Sequence, residues 1–154
     1  MAGFRASYAL AFHLAYGLRL FRTSVQLLDG HAGGLEMQLR ALQPGDAILV
    51  VGFAPYSREA EVVAQAAHQR GCKLVSLTDS TASPLSLLAD EMLLFSVHSP
   101  SFFPSTTAGL ALVEALLELV VALSGSVVVE RIHAAENQFF ASGAYLQKPP
   151  ARSP

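Results

Sequence analysis

The sequence holds a single cysteine, Cys72, which excludes an intrachain disulfide and any multi-cysteine metal cluster. Charge is scarce as well. Only 14% of residues are Asp, Glu, Lys or Arg, and 10 basic against 12 acidic side chains leave a formal net charge of −2. Without a basic excess there is no electrostatic footprint of a dedicated nucleic-acid binder. GxGxxG spacing and a Walker A sequence are both missing, which argues against nucleotide cofactors. The five histidines form no zinc motif: His13 sits in a mostly apolar segment and reads as a partly buried packing residue, and His31, His68 and His133 read as loop or solvent-facing positions. The expectation is a protein with no cofactor and no metal.

Apolar residues, in contrast, make up 52% of the 154 positions, and the mean hydropathy is +0.41. Such a chain can fill the core of one domain and is too apolar to be intrinsically disordered. Its richest stretch, Thr106 to Leu123, is interrupted by Glu114 and Glu118, so no membrane span is expected. Arg5, His13, Arg19 and Arg22 break up the amino-terminal apolar residues in a way that a cleaved signal would not. A cytoplasmic setting follows as the default.

Periodicity predicts a helix over Ser7 to Phe21, apolar on nearly every face and so covered on more than one side. A short strand at Ser24–Leu28 and a weaker helix at Leu35–Leu42 come next. Asp46–Val51 holds a continuous apolar run, from Ala47 onward, suited to a buried parallel strand. Ser57 can cap a helix running to about Arg70, and Gly71 closes it. Lys73–Leu77 is the following strand, and Ser83 can cap a short helix beginning at Pro84. A strand at Glu91–Phe95, helices at Thr106–Leu123 and Val127–Phe140, and a flexible tail at Gln147–Pro154 complete the series. Strands and helices alternate as in right-handed βαβ units, which makes the chain an α/β protein with helices on both faces of a parallel sheet.

In such sheets ligands bind beyond the carboxyl ends of the strands, where helix amino termini present free N–H groups. Three segments qualify: residues 3–7 with Arg5 and Ser7, residues 52–59 with Tyr56, Ser57, Arg58 and Glu59, and residues 78–83 with Ser80 and Ser83. Hydroxyls and N–H groups can hold phosphate oxygens, and arginine can pair with them bidentately. The plainer reading of Ser7, Ser57 and Ser83 is as helix caps. His98, beyond the last predicted strand, is a further ligand candidate. Glu59 and Glu114 are the acid/base candidates, or else an N-terminal helix residue and an interface residue.

The succession Gly3-x-Arg5-x-Ser7, Gly52-Phe53-Ala54-Pro55-Tyr56-Ser57-Arg58-Glu59, Leu77-Thr78-Asp79-Ser80 and Ser83-Pro84-Leu85 resembles the SIS (sugar isomerase) domain. It is most similar to the ligand-sensing half of RpiR/MurR-type bacterial transcriptional regulators, and residues 99–105 resemble one branch of them. The resemblance covers Gly3 to about Leu146. It implies a three-layer α/β/α sandwich of flavodoxin or Rossmann-like architecture, usually dimeric, that binds phosphorylated sugars or sugar acids. Carried over, Ser7, Ser57, Ser80 and Ser83 surround the phosphate, and an effector bound there changes the DNA affinity of a separate helix-turn-helix domain.

Two departures stand out. The family's second loop commonly reads Ser-x-Ser-Gly-x-Ser/Thr, whereas Gly52, Ala54 and Pro55 here replace its first three named positions and remove two hydroxyls. A DNA-binding domain and a first strand also precede the glycine–serine loop in the family, while this sequence starts at Met1-Ala2-Gly3. The expectation is a sheet shortened at its amino end and a chain that is not a well-behaved monomer. A sugar-phosphate isomerase, or a dimerisation module with a degenerate pocket, are the alternatives to an effector sensor.

Overall fold

The computed structural model describes residues 1–146; the expected tail at Gln147–Pro154 lies outside the described residues. Four parallel strands form one sheet in the order β1-β2-β3-β4: β1 Ala2–Gly3, β2 Ala47–Val51, β3 Lys73–Thr78 and β4 Glu91–Leu94. Five α-helices connect or flank them: α1 Tyr8–Arg19, α2 Leu35–Arg40, α3 Arg58–Gln69, α4 Thr107–Ser124 and α5 Ser126–Ala141.

Strand β2 is apolar throughout, and β3 admits only the buried Ser76 and Thr78 beyond Lys73 at its start, because both faces of the central strands are covered. Ile48 and Val50 of β2 and Leu74 of β3 point into a core shared with Ala60, Val63, Ala64 and Ala67 of α3. Their neighbours Leu49, Val51, Val75 and Leu77 point the other way, against α1, α4 and α5. This alternation is the two-residue period of a strand read on both faces. Ser57 caps α3 by accepting the Ala60 N–H at 3.2 Å, and Gly71 follows the helix with φ +70°, a left-handed conformation that favours glycine.

The structure corrects several expectations. A strand does precede the Gly3 loop: Ala2 and Gly3 pair with Val50 and Val51. Residues 24–28 are not a strand, and only Leu28 bridges to Ala2. No helix starts at Pro84. Turns run there instead, because the hydroxyls of Ser83 and Ser86 compete for the local backbone: Ser83 Oγ accepts the Ser86 N–H and Ser86 Oγ donates to the Ser80 carbonyl, both at 3.0 Å.

Helix α1 buries only one face. Leu10, Ala11, Leu14, Ala15 and Leu18 enter the core, while Tyr8, Phe12 and Tyr16 stack on one another in solvent and His13 is exposed rather than packed. Helix α4 has a mean hydropathy of 1.9 over 18 residues, which is long and apolar enough to cross a membrane by length and composition alone. It nevertheless carries Glu114 and Glu118, and it lays Gly109 and Val113 into the core against α1. Only 11% of this apolar helix is buried.

Candidate functional site

The carboxyl ends of β1, β2 and β3 each lead into a loop, and hydrogen bonds tie the three loops together. The first is joined to the second at two points. Ser7 Oγ lies 2.9 Å from both the Val51 carbonyl and the Phe4 carbonyl, either of which can take its proton, and it accepts the Phe4 N–H at 3.1 Å. Beside it, the Arg5 guanidinium donates to Glu59 Oε1 at 3.1 Å. Arg5 adopts φ +53°, a left-handed conformation rare for a side-chain-bearing residue, and this places its exposed guanidinium over the start of α3.

Asp79 joins the second loop to the third. Its Oδ1 accepts the Tyr56 hydroxyl at 2.7 Å and the Thr78 hydroxyl at 3.3 Å, and its Oδ2 accepts the Ala54 N–H at 3.3 Å. Burial, followed by the hydrogen bond to Asp79, pushes the Tyr56 phenol above its ordinary range, so it remains a neutral donor. Asp79 is the residue that sequence reasoning missed. A lone aspartate after a strand has many roles, and only the folded chain brings Ala54 and Tyr56 to it.

The remaining candidates divide by what their polar atoms already do. Ser7 and Ser83 are buried and engaged with their own loops. Ser80 Oγ accepts the Ala82 N–H at 3.1 Å within its turn. Ser57 spends an acceptor lone pair on Ala60 and keeps its proton to donate. Arg58 is exposed at the first position of α3 and makes no ion pair among the described residues. The N–H groups of Arg58 and Glu59 belong to the first turn of α3, where no intrahelical carbonyl can serve them. Glu59 Oε2 is buried without a hydrogen-bond partner among the described residues.

His98 is exposed beyond β4 and shares with Asp79 a shallow cavity of about 520 Å³, so the structure draws it to the same end of the sheet. Glu114 is elsewhere: it is exposed on α4 and belongs to none of these loops. Among the described residues no three His, Cys, Asp or Glu side chains converge as metal ligands. A second cavity, of about 700 Å³, lies at the opposite end of the sheet, where no α-helix amino terminus lines it.

Removing the Ser7 hydroxyl would strand buried backbone groups of Phe4 and Val51. Ser7→Ala is therefore expected to lower stability by about 1–3 kcal/mol, read as a lower urea midpoint with an unchanged slope. A neutral result would show that Ser7 is not what holds the first loop to β2.

The geometry of three strand-end loops meeting at the start of one helix has known counterparts. The family model of the SIS domain matches residues 1–119. The sugar isomerase domain of the RpiR transcription factor from Sphaerobacter thermophilus is similar at a TM-score of 0.81 and 26% identity, over 91% of this chain and 76% of that one. The Vibrio vulnificus NanR protein, solved in complex with ManNAc-6P, is similar in fold at a TM-score of 0.77 and 24% identity, over 94% of this chain and 55% of NanR. The chain thus spans just over half of the length of NanR. A search of curated proteins finds no match. With more than two thirds of its residues under that family model and the loops of the sheet arranged as described, this chain belongs to the SIS domain family.

Proposed function

We propose that this chain is an effector-sensing module that binds a phosphorylated sugar or sugar acid at the carboxyl ends of β1, β2 and β3. The observation that carries this reading is the joining of the three loops, by Arg5 to Glu59 and by Tyr56 and Ala54 to Asp79, around the open amino terminus of α3. The complex of NanR with ManNAc-6P supports the ligand class.

In this reading the phosphate sits at the first turn of α3. The Arg58 and Glu59 N–H groups, the Ser57 hydroxyl and the Arg58 guanidinium donate to it, and the helix dipole favours its charge. These donors take the place of the two hydroxyls that Gly52 and Ala54 cannot supply. Arg5 neutralises Glu59, which lets that carboxylate stand beside the bound anion. Asp79 is already occupied by three donors, which leaves it holding the loops in place. Nothing in this arrangement pairs an acid with a base across a reacting carbon, so the role assigned is binding without turnover. In the same reading the protein is cytoplasmic and homodimeric, and it meets DNA only through a separate helix-turn-helix domain.

Calorimetric titration with ManNAc-6P and a panel of other sugar phosphates tests this. One of them is expected to bind saturably, and Arg58→Ala is expected to weaken that binding about 10- to 100-fold, as loss of a charge-assisted hydrogen bond does. Absence of saturable heat with every member of the panel, or turnover of any of them, overturns the proposal.

A further inference from the structure

The shallow cavity shared by Asp79 and His98 is bounded by the segment that joins β4 to α4. Leu94 to His98 line it at the root of this segment, and Asp79, the other lining residue, is the one that grips Ala54 and Tyr56. The Ser105 N–H donates to the Val97 carbonyl at 3.0 Å, which closes residues 97–105 into a loop with both ends beside the cavity.

This loop carries no charge. From Phe95 to Val113 the chain has no Asp, Glu, Lys or Arg. Its polar groups are hydroxyls: Ser96 Oγ accepts the His98 N–H at 3.2 Å and Ser99 Oγ accepts the Ser101 N–H at 3.1 Å, so each keeps its proton to donate. Its tip is aromatic. Phe102 is 98% exposed and Phe103 52% exposed, with ring centres 6.0 Å apart, so the pair packs on itself and not into either core. Pro100 and Pro104 flank the tip, and two fixed φ angles with two missing N–H donors keep it out of strand and helix.

A sugar phosphate has its charge at one end, and the reading above places that end at the first turn of α3. The rest of the ligand is an uncharged ring with C–H faces and a hydroxyl rim. A pair of exposed aromatic rings above serine hydroxyls is complementary to such a ring, because the electron-rich face of an aromatic attracts C–H groups that carry a partial positive charge.

We propose that Phe102 and Phe103 are the residues that select the sugar ring, and that the loop 97–105 brings them over the cavity when the effector binds. This rests on the effector-sensing reading and names what holds the uncharged end of the ligand. At ~3.3 Å per residue the five steps from Val97 to Phe102 reach at most about 16 Å, enough to cross the cavity while Val97 and Ser105 stay joined. Closing the loop covers the two rings and removes water from the ring face of the ligand.

The chain holds no tryptophan, so Phe102→Trp places a single fluorescent reporter at the tip. Saturation with ManNAc-6P, or with another sugar phosphate of the calorimetric panel that binds, is expected to shift its emission to the blue and to lower its quenching by acrylamide. Inorganic phosphate and glycerol phosphate, which lack a ring, are expected to leave the emission unchanged. In calorimetry, Phe102→Ala combined with Phe103→Ala is expected to weaken the sugar phosphate about tenfold and to leave glycerol phosphate unaffected. A sugar phosphate that binds the parent and the double variant equally, with unchanged tryptophan emission, overturns the role of the loop and leaves the effector site standing. Equal weakening of both ligands overturns selection of the ring. A reporter already shielded from acrylamide without ligand, increasingly so at higher protein concentration, shows that a second copy covers the tip and also overturns the proposal. Failure of every sugar phosphate to bind the parent overturns the effector reading itself, and this inference with it.

Discussion

Gly3→Ala is expected to lower stability by about 1–3 kcal/mol, the usual range for overfilling a packed site, and to displace the first loop of the site. A methyl group built on Gly3 would lie 2.7 Å from Ala11 Cβ and 2.8 Å from the Ser7 carbonyl oxygen. Neither atom belongs to a flexible side-chain end. One is fixed on the buried face of α1, and the other is the backbone of the turn leading into that helix. Relief therefore requires moving α1 away from the sheet or reopening the turn that holds Arg5 at positive φ. For a chain of this size the loss corresponds to a fall of roughly 3–10 °C in the thermal midpoint. The measurement is thermal unfolding by circular dichroism, with hydrogen exchange at Phe4 and Ser7 to locate the change. A midpoint within 1 °C of the parent, a margin set by about 2–4 °C per kcal/mol, would show that the close approach is not a constraint. If the sugar phosphate binds as proposed, this variant also weakens it, because Arg5 and Glu59 are positioned by the same turn.

The second large effect concerns association. Leu119→Glu combined with Leu123→Glu is expected to convert the proposed homodimer into a monomer while leaving the fold intact. Leu119 is 54% exposed and Leu123 79% exposed on the outer side of α4. Leu110 on that helix and Val127 and Val129 on α5 are exposed apolar residues too, as are Tyr8, Phe12 and Tyr16 on the neighbouring α1. That much apolar surface on adjacent helices is a typical mark of a protein interface. A carboxylate in its centre would lose its water without gaining a partner, which weakens association by at least about 100-fold. Sedimentation velocity at micromolar concentration reads the result directly. A monomeric parent protein refutes the dimer, and a variant that remains dimeric shows that the interface lies elsewhere. Both leucines are solvent-exposed in the single chain, so a variant that keeps a cooperative unfolding transition has lost association and not folding, its midpoint falling only by what dimerisation adds.

The parts of the fold that could be read from the sequence are those whose signal is local and strong. Residues 47–51 are apolar without a break and form β2; Ser57 and Gly71 mark the two ends of α3; the apolar periods of α1, α4 and α5 each mark a helix. The parts that could not be read depend on partners distant in the chain. Ala2–Gly3 has no strand signal in two residues and is extended because Val50 and Leu28 grip it from both sides. Pro84 has a good helix-start signal, yet the Ser80–Ser83–Ser86 hydroxyls bind the backbone first and turns result.

The candidate site divides along the same line. The sequence by itself determined which loops gather, since helix starts after strands in a βαβ order must meet at one edge of a parallel sheet, and it named Arg5, Ser57, Arg58 and Glu59 as candidates by residue type alone. Only the tertiary structure decided what each polar atom has left to give. Ser7 and Ser83 are spent on buried backbone and hydroxyl groups, Asp79 clasps Ala54 and Tyr56 from 25 and 23 residues away, and Glu114 is turned to solvent. The physical reason is that a hydrogen-bonding group has few lone pairs and protons, and which neighbour claims them is set by packing across the sheet, a contact that sequence spacing does not encode.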